Sequence, residues 1–334
     1  MAGSIADRWA AQSASALVFW LGGLLIWTIG HGGLNGMQNA AAAISQQPTA
    51  AQVAAVVAAL ALVGLSGLVV RLVTLPVLRL LEGYWPKPLA GVRRRLVARV
   101  ARRAVREDLE WQALAGRVLP SDAIPDVRDA DRFTVLDRRL RRRPSLPHRL
   151  MPTRLGNTLR AAESRPLDKY GLDGVVVWPR LWLVLPEAVR TELSAGRKAL
   201  DDSASCLVWA LILPAFGAWS LWAIPIGLSA AVAIHQLWLP RRAERFADAL
   251  ETAFDLHRTE LYRALRWPLP RHPRDEHHQG RLLTRYLWRG SGSDTPLFVG
   301  EDSEASRPRA PGPPEPAAAP ASSEPPSAAR RDST

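Results

Sequence analysis

The chain has 334 residues, 22% of them charged, with 43 Lys and Arg against 31 Asp and Glu and a net charge of +12. One cysteine, Cys206, excludes a disulfide framework and a cysteine-based zinc site, and the seven His residues show no ligand spacing, so no metal and no cofactor is implied. Arg outnumbers Lys 40 to 3 in an Ala-rich chain. That usage tracks a GC-rich genome and weighs against nucleic acid as the partner that the charge suggests at first.

Trp9 to Val70 contains no Asp, Glu, Lys or Arg over 62 residues, and a second uncharged run covers the 38 residues from Ser203 to Pro240. A spanning helix needs roughly 20 apolar residues to cross a hydrocarbon core of about 30 Å. Four segments approach that length: Ser15 to Gly30, Val53 to Val70, Ser203 to Gly217 and Leu221 to Trp238. The expected fold is a mainly α membrane protein, with four transmembrane helices in two hairpins around a mostly helical cytoplasmic domain and a disordered C-terminal tail. The expected divisions are 1–83 for the first hairpin, 84–202 for a basic cytoplasmic domain and 203–240 for the second hairpin. A cytoplasmic helix with an extension follows over 241–290, and the tail covers 291–334.

Orientation follows from charge, because cytoplasmic loops hold the excess of Lys and Arg near helix ends. The connection from His31 to Gln52 has none, whereas Tyr84 to Asp202 has 25 against 15 acidic residues. Both termini are therefore expected inside. Two alternatives stay open: a re-entrant second hairpin, interrupted by Pro214 and Pro225, and a cleaved signal peptide ending near Ala41 to Ala43. Leu72 to Trp85, with Pro76 as a kink, is expected to run along the headgroups behind Arg71.

Val92 to Trp111 reads as a basic amphipathic helix. Val92, Leu96, Val100 and Ala104 recur every four residues, while Arg93, Arg94, Arg95, Arg99, Arg102, Arg103 and Arg106 fill the other faces. Such a helix close behind a membrane span suits anionic lipid, and the other reading is a solvated basic face. Leu119 to His148 reads as an irregular linker with one short element at Phe133 to Leu140.

Thr153 is expected to cap a helix from Arg154 to about Ser164, on which Asn157, Arg160 and Glu163 or Ser164 share a face. Asp173-Gly174 reads as a turn before an apolar run, Val175 to Leu185, that contains Trp178, Arg180 and Trp182. Pro186 then opens a helix through Val189, Leu193 and Leu200 that continues into the third span. After Pro240 a helix is expected with Phe246, Leu250, Phe254, His257, Leu261 and Leu265 on one stripe, His257 being a hydrogen-bonded core residue. Trp267-Pro268 ends it. His277 and His278 fall in a charged loop.

Two stretches resemble text shared by an uncharacterised family of multi-pass membrane proteins from high-GC Gram-positive bacteria. They are Arg154-Leu-Gly-Asn-Thr-Leu-Arg-Ala-Ala-Glu163 and Tyr170-Gly-Leu-Asp-Gly-Val-Val-Val-Trp-Pro-Arg-Leu-Trp182. Phe254 to Arg258 and Leu261 to Pro270 resemble its later motif. The resemblance implies a multi-pass envelope over 152–270 placed in a bacterial plasma membrane, and no activity.

The candidate functional surface is Arg154, Asn157, Arg160, Glu163, Tyr170, Asp173, Trp178 and Arg180. No phosphate loop, serine elbow, metal helix or paired-carboxylate motif accompanies it. The expected role is a membrane-anchored module that binds a protein partner, a second copy or anionic lipid. The alternatives are an enzyme using Glu163 and Asp173 with Arg160 and Arg180, and a small transporter or channel subunit.

Overall fold

A computed structural model describes residues 2–119, 126–290 and 296–299, with side chains from residue 15 onward. The described residues form α-helices with short 3-10 turns and no β-strand. In chain order they are α1 (Ala2–Gly30), α2 (Leu34–Ser45), α3 (Thr49–Glu82), α4 (Ala90–Val118), α5 (Val127–Arg141), α6 (Arg154–Tyr170), α7 (Gly174–Val184), α8 (Glu187–Ile212), α9 (Ala223–Ala233), α10 (Leu239–Ala264) and α11 (Pro273–Arg289).

Three helical runs are long and apolar enough to cross a membrane, and a fourth counts if the bent pair of α1 and α2 is taken as one. The apolar stretch of α3 has a mean hydropathy of 2.7 with only 11% of it buried. Leu60, Leu65, Leu68 and Leu72 are more than half exposed, a surface whose natural solvent is lipid. Phe19 of α1 lies 4.5 Å from Trp209 and 5.0 Å from Phe216, ring centre to ring centre, and this cluster joins α1 to the second hairpin. Gly30 touches the hairpin tip so closely that a Cβ would stand 2.3 Å from the Trp219 carbonyl oxygen. The tip therefore lies level with the C-terminal end of α1.

The connection from 31 to 52 is not simply a loop, since α2 occupies most of it after a bend of 107°. Nor is most of Leu72 to Trp85 a separate segment. α3 runs through Pro76 to Glu82 as one helix of 34 residues, about 51 Å at 1.5 Å per residue. Packing clamps it on both sides of Pro76: Thr74 Oγ1 is 2.9 Å from Ser205 Oγ, and Leu78 is fully buried against Leu155, Leu200 and Leu239. α8 crosses the border at 203 without interruption, as expected. α9 passes into α10 through a π turn, Ile234–Trp238. Pro240 explains that turn, because it has no amide for its i−4 carbonyl and its ring crowds that carbonyl.

α6 is the hub of the charged body and packs on α3, α7, α10 and α11. Thr153 caps it as expected, accepting from the Gly156 amide at 3.0 Å. The helix then continues past Ser164 to Tyr170, with Pro166 inside it, and closes on Gly171 at φ 70°. The principal core gathers Leu172, Val177, Leu181, Leu193, Phe254, Leu261, Tyr262, Trp267 and Leu283 from α7, α8, α10 and α11 and the chain beside them.

Of the expected irregular linker, 120–125 lie outside the described residues, and 126–148 are largely ordered as helix. α5 covers Val127–Arg141, capped by Asp126, and pairs antiparallel with α4 through stacked Trp111 and Phe133 and the ion pairs Arg132–Glu110 and Arg117–Asp129. His277 and His278 lie on α11, not in a loop. Within the expected tail, Pro296 to Val299 is docked: Val299 exchanges hydrogen bonds with Arg266, and Phe298 meets Trp267 and Tyr286 edge to face. The remainder, 291–295 and 300–334, lies outside the described residues.

Candidate anion-binding surfaces

The structure places most of the motif residues in the fold itself. Asn157 is buried, and its side chain accepts from the Met151 amide at 2.8 Å and donates to the carbonyls of Met151 and Thr153, both at 2.8 Å. It thereby fixes the turn that delivers α6 to the end of α3. Beside it Gly156 has no room for a side chain, because a Cβ would stand 1.8 Å from the Glu82 carbonyl oxygen. Asn157 is therefore not on a solvent face with Arg160 and Glu163.

Tyr170 joins an ionic network between α6, α10 and α11. Its hydroxyl donates to Asp255 at 2.6 Å, the Arg258 guanidinium sits 4.1 Å from its ring centre, and Arg258 pairs with Glu276 at 2.5 Å. Burial, then the bond to Asp255, raises the Tyr170 phenol above its ordinary value. Asp173 caps α7 through the Val175 amide at 2.9 Å. Trp178 is half-buried and packs on Phe254 at 5.7 Å and on Trp182, at the edge of the core.

Arg160, Glu163 and Arg180 stay at the surface. Arg160 reaches Glu163 at 3.4 Å, and Arg180 donates to the Val176 carbonyl of its own helix. Glu163, Asp173, Arg160 and Arg180 thus form one long contact and two local bonds without converging. His257 of the α10 stripe is half-buried and makes no hydrogen bond among the described residues. Those residues also hold no group of three or more His, Cys, Asp or Glu suited to a metal ion.

The α4–α5 arm differs in kind. Arg95, Arg99, Arg102 and Arg106 are spaced by four, three and four, which sets them within one narrow face of α4. All four are exposed and make no ion pair among the described residues. Arg99, Arg102 and Arg106 line a shared surface hollow. Exposed Val105 and Leu109 border the stripe. Arg94 is exposed one face away. Two of the arginines expected to face lipid are instead engaged: Arg93 donates to the Gly83 carbonyl at 3.1 Å, closing the end of α3, and Arg103 pairs with Glu107 at 2.9 Å.

On another side of α4 lies a cleft of about 690 Å³ between the arm and the body. Arg103, Arg138, Arg139, Arg142 and Arg143 line it from the arm, and Arg154, Asn157 and Glu244 from the body. Glu107 is held by three arginines, Arg103, Arg139 and Arg143, and Arg143 also bonds Asp108 at 2.6 Å. Arg142 grips Asp248 with both nitrogens, so α5 is tied to α10. The Asp248 contact raises the Arg142 guanidinium and keeps it charged. Arg154 reaches only Glu244, at 2.8 Å, and Arg138 makes no ion pair among the described residues.

Sequence reasoning singled out Arg103, Arg154 and Asn157 of this cleft and missed the rest, because Arg138 to Arg143 fall in a stretch that reads mostly as an irregular linker until α5 folds back on α4. The signal was the Asp126 cap with a 15-residue helix behind it. Comparisons with known protein families, with curated proteins and with solved structures give no match for this chain.

Proposed function

We propose that the protein is a membrane-anchored module whose charged body faces the cytoplasm and engages anionic lipid through the free stripe of α4. The observation that carries this reading is that stripe: four exposed, unpaired arginines with an apolar border, on a helix that starts eight residues after the end of α3. Each Lys or Arg close to an anionic surface contributes about 1 kcal/mol, and less at high salt. The remaining polar residues of the family-like text support the reading by their engagement, since Asn157, Tyr170 and Asp173 serve the fold. The resemblance over 152–270 fits the multi-pass envelope and adds no activity.

The topology that accompanies this reading has four spans, with both termini inside. It rests on the charge distribution and on the contact of Gly30 with the tip at Trp219, which matches the depth of the second hairpin to that of α1. A reporter fused after Asn39 is expected outside and one fused after Gly290 inside. An outside signal at Gly290 would reject the topology.

Lipid engagement is tested by hydrogen exchange of the full chain in nanodiscs. Amides of α4 are expected to be protected when the disc contains phosphatidylglycerol and released in pure phosphatidylcholine or with Arg95, Arg99, Arg102 and Arg106 changed to Gln. Equal exchange in both discs would reject the lipid role.

A further inference from the structure

The cleft between arm and body is separate from the lipid-facing stripe, and we infer that it is a binding site for a phosphate group carrying about two negative charges. Six guanidiniums, of Arg103, Arg138, Arg139, Arg142, Arg143 and Arg154, stand against the four carboxylates they touch, Glu107, Asp108, Glu244 and Asp248. Two positive charges remain unanswered there. A phosphate monoester or a diphosphate would balance them.

Guanidinium chemistry selects phosphate over a simple counter-ion, because the planar fork presents paired donors that match adjacent oxygens of a tetrahedral anion. The donors also come from both walls. Among the described residues Arg138 is unpaired, Arg139 makes only one contact at 3.4 Å, and Arg154, 72% exposed, reaches across from the body with a single partner. A volume of about 690 Å³ falls within the usual range for small ligands. Such a ligand would bridge α5 to α6 and fasten the arm beside the Arg142–Asp248 tie.

The ligand has two possible sources, a soluble diphosphate or a phosphorylated lipid headgroup. Glu244 follows Trp238 by only six residues, so the cleft opens close to the apolar layer and a headgroup is within reach. The chemistry of the site is the same for both.

The test uses full-length protein in detergent, with inorganic pyrophosphate titrated by calorimetry and with cardiolipin retention read by native mass spectrometry. Wild type is expected to bind at least one of the two probes saturably. The variant Arg138→Ala/Arg139→Ala should weaken that binding at least about tenfold, the effect of losing two charge-assisted contacts. Arg138→Lys/Arg139→Lys should recover part of it, and helix content by circular dichroism should be unchanged in both. Pyrophosphate binding that depends on the cleft identifies a soluble ligand, and cleft-dependent cardiolipin retention without pyrophosphate binding identifies a headgroup. Binding of neither probe, or binding insensitive to Arg138 and Arg139, overturns the site. Arg99→Ala/Arg102→Ala serves as the control that separates this site from the stripe: it should leave pyrophosphate affinity unchanged, and a loss equal to that of the cleft variant would also overturn the assignment.

Discussion

α6 and α4 are both helices studded with polar residues, and they spend those residues in opposite ways. On α6, Leu155 to Leu159 are all buried, and the polar groups of Asn157 and Tyr170 are consumed by bonds that join the helix to its neighbours. On α4, Arg95, Arg99, Arg102 and Arg106 lie exposed without a partner among the described residues. The richer text marks the part that builds the protein. The plainer, repetitive text marks the part left free to bind.

The sharpest way to break this contrast is Gly156→Val. A Cβ there would stand 1.8 Å from the Glu82 carbonyl oxygen, so α6 would have to leave the end of α3, and the charged body is expected to lose cooperative unfolding in a calorimetric scan. Next in size is the change of the four stripe arginines to Gln. At about 1 kcal/mol each, their loss should speed α4 amide exchange in anionic nanodiscs at least about tenfold while Tm hardly moves. Asn157→Ala should do the reverse. It strips two buried hydrogen bonds and one partly buried one and is expected to cost about 3 kcal/mol in denaturant unfolding, with lipid protection of α4 intact in the folded fraction.

Glu82 gives a smaller effect of opposite sign. Burial first, and then the nearby Glu163, push its carboxyl above the ordinary value of 4.5, against the pull of Arg197. A raised carboxyl contributes stability below pH 4.5 that is lost as pH rises through the folded pKa. Glu82→Gln should therefore raise Tm at neutral pH, and the gain should vanish as pH falls below the ordinary value. The smallest effect is expected for Arg160→Ala, which removes one exposed contact at 3.4 Å to Glu163 and should shift stability by less than about 0.5 kcal/mol.

Much of the fold is legible in the sequence where local rules decide it. The charge gap marks the apolar helices, Thr153 marks the start of α6, and Pro186 marks the entry to α8, which runs into the apolar layer as its pattern implies. The misreadings come where distant packing overrides a local signal. Pro76 reads as a kink, but Leu78 is clamped by α6, α8 and α10, and the helix passes through it. Residues 127–141 carry so many charges that only the short stretch from Phe133 to Leu140 looks like an element, and the full helix is held by ion pairs with α4, the helix before it. Phe298 looks like part of a featureless tail until Trp267 and Tyr286 supply its pocket.

The candidate site divides along the same line. The stripe on α4 follows from spacing alone, since positions 95, 99, 102 and 106 share a face on any regular helix. The cleft does not, because its walls come from α4, α5, α6 and α10 and meet only in the folded chain. Arg93 and Arg103 show the remaining limit. Their spacing gives the face, but only the positions of Gly83 and Glu107 reveal that both are already occupied.

The central claim, that the free face of α4 meets anionic headgroups, is tested most directly by a spin label at Ala98, an exposed position beside the stripe, in a Cys206→Ser background. Depth is read in nanodiscs of neutral and of anionic lipid. The account predicts a label within the headgroup layer in phosphatidylglycerol discs, and in water in phosphatidylcholine discs or at high salt. A label equally exposed to water in both discs would contradict it.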